Sequence, residues 1–223
     1  MAFVGLTYTL TDGAGYVWDI RSDGAVNDGT DNAFDNGLDV SSGPSVFVAE
    51  YDAGLNALTT LPGRLGNQMV FSRQVMVSSD AGWARFHDTV TNYTDAPITH
   101  TFRLNNDVGA GSATVVESAS GDGIVEGDDR WFYVQDADGG SPVVGILFGD
   151  LDGLAPLDVT QSFDDVNLSW SLTLAPGEAR SLMYFASQGP DAATMEATLE
   201  ELASLPLGTL EGLDADALEQ VAN

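Results

Sequence analysis

The segment from Gln68 to Leu104 constrains the fold more than any other part of the sequence. It contains three runs of alternating apolar residues, Met69 to Val77, Trp83 to Val90 and Ile98 to Leu104, separated by short polar breaks with Gly or Pro. Alternation with a period of two residues is the pattern of a half-buried β-strand. We therefore predict a three-stranded antiparallel meander, with a bulge or twist near Phe102.

Similar β-rich runs continue on both sides of this segment. The clearest runs from Val166 to Leu174, and it predicts that Trp170 is buried between Leu168 and Leu172. After residue 190 the apolar spacing becomes helical, and Asp191 to Leu205 is predicted to form a helix. The predicted fold class is therefore all-β, with two packed antiparallel sheets and a C-terminal helix. Residues 1–188 form the predicted β-sandwich domain, and residues 189–223 form a helical segment packed on it or trailing from it.

Composition excludes several classes of function. The chain has 223 residues and no cysteine, so disulfides, thiol catalysis and zinc–thiolate sites are ruled out. Its 34 acidic residues face seven arginines and no lysine, which gives a formal charge of −27. Such a surface repels nucleic acid and anionic membranes, so neither is an expected partner, and no run of residues is long and apolar enough for membrane insertion.

Localisation is predicted from the two ends of the sequence. No signal-peptide pattern follows Met1, so the chain is either cytoplasmic or a module of a longer secreted protein. The second interpretation is favoured because the sequence begins in a strand and breaks off at Asn223. We therefore expect an extracellular or cell-surface location, with neighbouring domains of a longer chain as partners.

The segment from Asp23 to Asp39 is the most oxygen-rich part of the sequence and is predicted to be a loop. Its five carboxylates belong to Asp23, Asp28, Asp31, Asp35 and Asp39. Asp and Asn side chains in Gly-rich loops supply the hard oxygen ligands that Ca²⁺ prefers, so these five residues are the candidate calcium ligands. Weaker acidic candidates are the loops at residues 122–129, 136–138 and 150–152. The alternative is a set of ordinary acidic turns on a surface adapted to salt, as in a halophilic protein.

Four residues are candidates for ligand binding. His87 and His100 are predicted on adjacent strands, where two imidazoles and a carboxylate could form a metal site or an acid–base pair. Trp83 and Trp131 belong to a set of six aromatic residues that could line a platform for a sugar ring: Trp18, Trp83, Trp131, Trp170, Tyr16 and Tyr133. The alternatives are two unrelated strand histidines and tryptophans that pack in the core.

The stretch GWARFHDTVTNYTDAPITHTFRL at residues 82–104, followed by SGDG and a late LTLAPGEARSLMYF, resembles β-sandwich modules of secreted bacterial proteins. These include long calcium-dependent multidomain surface proteins with adhesin-like modules. The same order of strands and turns also resembles the galactose-mutarotase-like supersandwich. This resemblance implies a supersandwich fold over residues 3–187, and it does not place a general-base Glu.

No catalytic motif is found, so two classes of function remain. The favoured one is a non-catalytic extracellular module, structural or carbohydrate-binding, that calcium stabilises. The alternative is a carbohydrate-active, epimerase-like enzyme on a mutarotase-type fold. A cleft that gathers both histidines with a carboxylate would favour the enzyme.

Overall fold

The structure of the protein is a computed structural model, which describes residues 1–66, 68–109, 114–149 and 153–223. Strands make up 48% of the chain and helices 9%. In the described residues the strands are, in chain order, β1 (Ala2–Gly5), β2 (Tyr8–Thr11), β3 (Val17–Ile20), β4 (Val26–Gly29), β5 (Asp35–Gly37), β6 (Asp39–Val40), β7 (Val48–Asp52), β8 (Ala57–Thr60), β9 (Gly63–Leu65), β10 (Met69–Val77), β11 (Trp83–Asn92), β12 (Ile98–Asn105), β13 (Thr114–Ser118), β14 (Trp131–Asp136), β15 (Val143–Leu147), β16 (Asp158–Ser162), β17 (Asp165–Leu174) and β18 (Ala179–Gly189). The helices of the same residues are one 3-10 turn (Thr30–Asn32), α1 (Ala192–Ala203) and α2 (Ala215–Glu219).

The described strands form three sheets, and within each sheet the neighbouring strands are antiparallel. The large sheet has the order β1-β7-β8-β10-β11-β18-β15-β14-β13, with β9 added beside β10. The facing sheet has the order β16-β17-β12-β6, and the N-terminal sheet has the order β2-β3-β4-β5. The two four-stranded sheets together cover one face of the large sheet, because side chains from all three meet in a single core. The protein is thus a β-sandwich whose second layer is divided in two.

Aromatic side chains fill the interior of this sandwich. Trp18 of the N-terminal sheet and Trp170 of the facing sheet are both fully buried. Phe71 and Phe102 meet across the two layers with their ring centroids 6.3 Å apart, and Phe102 also contacts Trp170 at 6.5 Å. The predicted burial of Trp170 is confirmed, as is the all-β sandwich.

A buried ion pair joins the two layers. Arg73 and Asp88 project into the core from β10 and β11, with 2.6 Å between Nε and Oδ1, and both residues also hydrogen-bond the Tyr184 hydroxyl. Arg73 Nη1 donates to the carbonyl oxygens of Gly24 and Leu38, at 3.0 and 2.7 Å. Burial opposes the charge, but the carboxylate of Asp88 raises the pKa of Arg73, so the guanidinium stays charged.

Helix α1 covers the other face of the large sheet. Asp191 caps its first turn by accepting a hydrogen bond from the amide of Thr194 at 2.8 Å. Its buried residues Met195 and Leu199 lie over Gly145 of β15, where an added Cβ would stand 2.3 Å from Met195 Sδ. Gly145 therefore lets the helix approach the sheet closely. None of the helices in the described ranges is long and apolar enough to span a membrane.

The chain then crosses this same outer face. Residues 204–214, here called the strap, link α1 to α2. Beyond α2, Val221 forms a parallel bridge to Ser181 of β18, and the side chain of Asn223 hydrogen-bonds both the amide and the carbonyl of Met183. The predicted helical segment over residues 189–223 thus packs on the sandwich through α1 and through these last residues.

Three local predictions were wrong. The first two runs of the predicted meander pair as β10 and β11, but the third, β12, crosses to the facing sheet and pairs with β17. β12 has no bulge near Phe102, and its register with β17 is continuous from Ile98 to Leu104. The segment from Asp23 to Asp39 is not one long loop, because it contains β4, the 3-10 turn, β5 and the start of β6.

Candidate functional site

The five candidate calcium ligands are divided among different environments. Arg21 pairs with the carboxylate of Asp23 and lies 3.6 Å from that of Asp39. Burial of Asp23 opposes its charge, but the hydrogen bond and charge of Arg21, together with backbone hydrogen bonds such as that from Ala25, lower its pKa. Asp31 lies in the 3-10 turn with a positive φ of 50°.

The other two candidates lie in register on neighbouring strands. Asp28 of β4 faces Asp35 of β5 on one side and Asp19 of β3 on the other. We call these three residues the Asp ladder. Like charges at directly opposed positions destabilise a sheet. Within the described ranges, no three acidic or histidine side chains are close enough together to form a ready metal site. Calcium binding stays a prediction.

The weaker acidic candidates act as acceptors in their own turns. Asp129 accepts hydrogen bonds from the amides of Ser120 and Glu126, at 2.9 and 2.8 Å. Asp136 accepts from the amide of Asp138 at 2.9 Å. Such local acceptors are typical of Asp in turns. The candidate at residues 150–152 lies outside the described residues.

The two histidines do not come together. His87 projects from the outer face of β11, whereas His100 lies on β12 in the facing sheet. Burial lowers the pKa of both imidazoles. His87 Nε2 is buried without a hydrogen-bond partner. This arrangement matches the alternative of two unrelated strand histidines, because β11 and β12 belong to different layers.

The two candidate tryptophans have different surroundings. Trp131 is buried in the interface with α1, where its ring stacks on Tyr133 and its Nε1 donates to Glu200 at 2.8 Å. Trp131 therefore packs in a second, smaller apolar core, which lies between α1 and the large sheet. Trp83 is half-buried, has its ring edge against Phe185, and lines the largest cleft described here.

This cleft has a volume of about 520 Å³, which is within the usual range for a small-molecule site. It lies between the turn from β10 to β11, one side of α1 and the strap. Tyr16 lines it with Trp83, so two members of the predicted aromatic platform share one cavity. The ring of Tyr16 can approach because Gly82 has no side chain: an added Cβ would lie 3.1 Å from Tyr16 Cδ2.

Polar groups complete the lining of the cleft. Three carboxylates, those of Asp80, Glu201 and Glu211, come from the turn, α1 and the strap. Burial and the charge of Asp12 raise the pKa of Tyr16, so its hydroxyl remains a hydrogen-bond donor.

Sequence analysis missed the three carboxylates because they are far apart along the chain. An aromatic ring beside carboxylate acceptors can stack on the apolar face of a sugar and accept hydrogen bonds from its hydroxyls.

Arg85 lies next to this cleft, beneath the strap. It is fully buried, and its Nη1 donates to the carbonyl oxygens of Thr209 and Glu211 at 2.8 and 2.9 Å. Nη2 donates to Gln74 Oε1 at 2.5 Å, and Nε is buried without a partner. Burial lowers the pKa of Arg85 to about 10. Thr209 and Glu211 also line the cleft, so the strap separates the cleft from Arg85.

No protein-family model matches the sequence, and no curated protein is similar to it. Solved structures do share its fold. A TPR-domain-containing protein from Parabacteroides distasonis has a TM-score of 0.59 at 10% identity over 90% of this chain and 48% of its own. A candidate aldose 1-epimerase from Escherichia coli K12 has a TM-score of 0.52 at 10% identity, over 84% of this chain and 99% of its own.

The protein therefore shares the β-sandwich fold of these solved structures. A polysaccharide lyase also matches, with a TM-score of 0.50 at 14% identity over 89% of this chain. This chain spans 34% of that lyase and 48% of the TPR-domain protein, but nearly all of the E. coli protein. At such identities the likeness shows the fold alone, so function must be argued from the cleft.

Proposed function

We propose that this mutarotase-like sandwich is a non-catalytic carbohydrate-binding module whose site is the cleft lined by Tyr16 and Trp83. The observation that carries the proposal is the pairing of two half-buried aromatic rings with three carboxylates in one cavity of about 520 Å³. Aromatic faces and a few convergent polar groups are the usual elements of a sugar site. The sugar-related neighbours of the fold add support.

The wider setting is part of the same proposal. The module belongs to a longer extracellular or cell-surface protein, and calcium stabilises it. The charge of −27 supports the calcium component, since bound divalent cations would reduce repulsion within the folded chain.

Binding can be tested by titrating the protein with D-galactose and D-glucose while recording tryptophan fluorescence and heat. Trp83→Ala should weaken binding by about tenfold or more, because it removes the stacking surface. Phe163→Ala is the matched control, since Phe163 is an exposed aromatic residue that does not line the cleft. Equal loss in both variants, or no sugar binding by the wild type, would refute the proposal.

The alternative is an epimerase-like enzyme, favoured by the aldose 1-epimerase description of the E. coli neighbour. Polarimetry of freshly dissolved α-D-galactose distinguishes the two. The binding module leaves the spontaneous rate of mutarotation unchanged. An acceleration that disappears in His87→Ala would establish the enzyme instead.

A further inference from the structure

Among the described residues, no carboxylate forms an ion pair with Arg85, although a buried arginine ordinarily has such a partner. Burying a guanidinium is costly unless an opposite charge accompanies it. Arg73, the other fully buried arginine named here, has Asp88 as that partner. Arg85 forms no ion pair among the described residues, in a chain with 34 acidic side chains. The Glu211 carboxylate acts on it only at longer range, by a Coulombic attraction that opposes the fall in its pKa.

The strap supplies neutral acceptors where a carboxylate would fit better. Two carbonyl oxygens, from Thr209 and Glu211, accept from the same Nη1 of Arg85. A carboxylate can instead accept from two guanidinium nitrogens at once, and a hydrogen bond between two charged groups is roughly twice as strong as a neutral one. The Nε of Arg85, buried and without a partner, offers a further donor.

The strap could leave this position without disturbing the core. Thr209 is its one buried residue, whereas most of the others are exposed or half-exposed. Gly208 and Gly212 flank the two contact residues, with φ of 100° and 78°. Glycine changes backbone conformation at the lowest steric cost, so Gly208 and Gly212 are the positions at which the backbone of the strap shifts most easily.

We propose that the cleft recognises an acidic sugar, a uronic acid, whose carboxylate displaces the carbonyls of Thr209 and Glu211 from Arg85. This inference rests on the proposed sugar-binding function and names its ligand class. The ring of the sugar stacks on Trp83, and its hydroxyls donate to Asp80 and Glu201. The charged carboxylate of the ligand thus binds Arg85, and its neutral hydroxyls bind the two protein carboxylates.

The acidic surface opposes the approach of such a ligand, and this sets the conditions of the test. At about 0.5 M NaCl, long-range repulsion is screened over a few ångströms, whereas a buried pair is screened much less. D-galacturonate, its methyl ester and D-galactose are the probes, since they differ at C6 alone. Wild-type protein should bind galacturonate at least about tenfold more tightly than either neutral probe.

Two variants and one control separate a role for Arg85 from general effects. Arg85→Met should abolish the preference for galacturonate over galactose, whereas Arg103→Met, at an exposed arginine of the facing sheet, should keep the preference. Glu211→Gln, at an exposed position, should strengthen galacturonate binding several-fold by removing the competing carboxylate. This second variant decides the matter if Arg85→Met does not fold.

The outcomes distinguish the two proposals. Binding of galactose and galacturonate with equal affinity would refute the acidic-sugar inference and leave the sugar-binding module intact. A galacturonate preference that survives in folded Arg85→Met, or a Glu211→Gln protein identical to wild type, would refute the inference equally. If none of the three probes binds, both proposals fail. Amide hydrogen exchange in residues 208–212 should rise with galacturonate and stay constant with galactose.

Discussion

At the scale of single residues, two fully buried tryptophans differ in one hydrogen bond. Trp18 Nε1 donates to Asp12 Oδ2 at 2.9 Å, whereas Trp170 Nε1 has no partner. Burial raises the pKa of Asp12, and the bond from Trp18 partly opposes this shift. Alternation predicted that Trp170 is buried, but it could not reveal whether its indole nitrogen is paired.

The two tryptophans therefore predict unequal effects of one substitution. Trp170→Phe and Trp18→Phe both leave a cavity, but Trp18→Phe also deprives the buried Asp12 of a donor. It should cost about 1–3 kcal/mol more in the free energy of unfolding. Urea denaturation of both variants measures the difference. Equal costs would show that the Trp18–Asp12 bond contributes nothing net.

His87 predicts a dependence of stability on pH. Its folded-state pKa lies below the value of about 6.5 expected for an unfolded chain, because the imidazole is buried. Between those two values the unfolded state binds more protons, so stability falls as pH decreases below 6.5. His87→Gln should make this fall shallower in melts between pH 6.5 and 5. His100→Gln, at a more exposed imidazole, should change the slope less, and an unaltered slope in His87→Gln would contradict the assignment.

At the scale of elements, patterns of period two and of helical spacing predicted most of the strands and α1. They failed for the segment from Asp23 to Asp39, which was predicted to be a loop because it is rich in Asp, Asn and Gly. That segment places Val26, Ala33 and Leu38 in the core between exposed acids, and three-residue strands are too short to show alternation. The pairing of β12 with β17 within the facing sheet depends on residues about 70 positions apart and has no local signal.

The Asp ladder predicts a stabilising substitution. Asp28 faces a like charge on both sides, so Asp28→Asn should raise the free energy of unfolding by roughly 0.2–1 kcal/mol per relieved pair at low salt. The gain should shrink when NaCl is added, because these side chains are largely exposed. Asp52→Asn, at an acid outside the ladder, is the control. A loss of stability in Asp28→Asn would show that its carboxylate has a favourable partner.

At the scale of the whole molecule, the charge of −27 makes ionic conditions a determinant of stability. If calcium binds the folded state, it stabilises it by about 2.7 kcal/mol when free ion is 100-fold above Kd. The melting temperature should then rise more with CaCl2 than with NaCl at the same ionic strength. Asp28→Asn should remove that difference if the Asp ladder is the site. Equal effects of the two salts would identify a salt-adapted surface without a calcium site.

For the candidate site, the sequence identified Tyr16 and Trp83 as two of six possible platform residues, but it did not single out this pair or predict the cleft. Tyr16 directly precedes β3 of the N-terminal sheet, whereas Trp83 begins β11 of the large sheet, so the packing of the two sheets brings them together. Gln188, at the end of β18, helps to position them: its side chain donates to the carbonyl of Val17 at 2.8 Å and accepts from the amide of Thr30 at 3.0 Å. The carboxylates come from three separate elements, so no spacing rule connects them.

The pairing of β11 with β18 in the middle of the large sheet has a consequence for how fast the chain folds. The contact between Gly82 and Ser187 joins residues 105 positions apart. Folding rates fall as contacts become less local, so this topology predicts a slow folder, on the millisecond-to-second scale or longer. During synthesis β10 and β11 emerge well before β18, and one edge of their hairpin waits without its partner strand. The high negative charge is then an advantage, because it keeps neighbouring nascent chains from joining at that open edge.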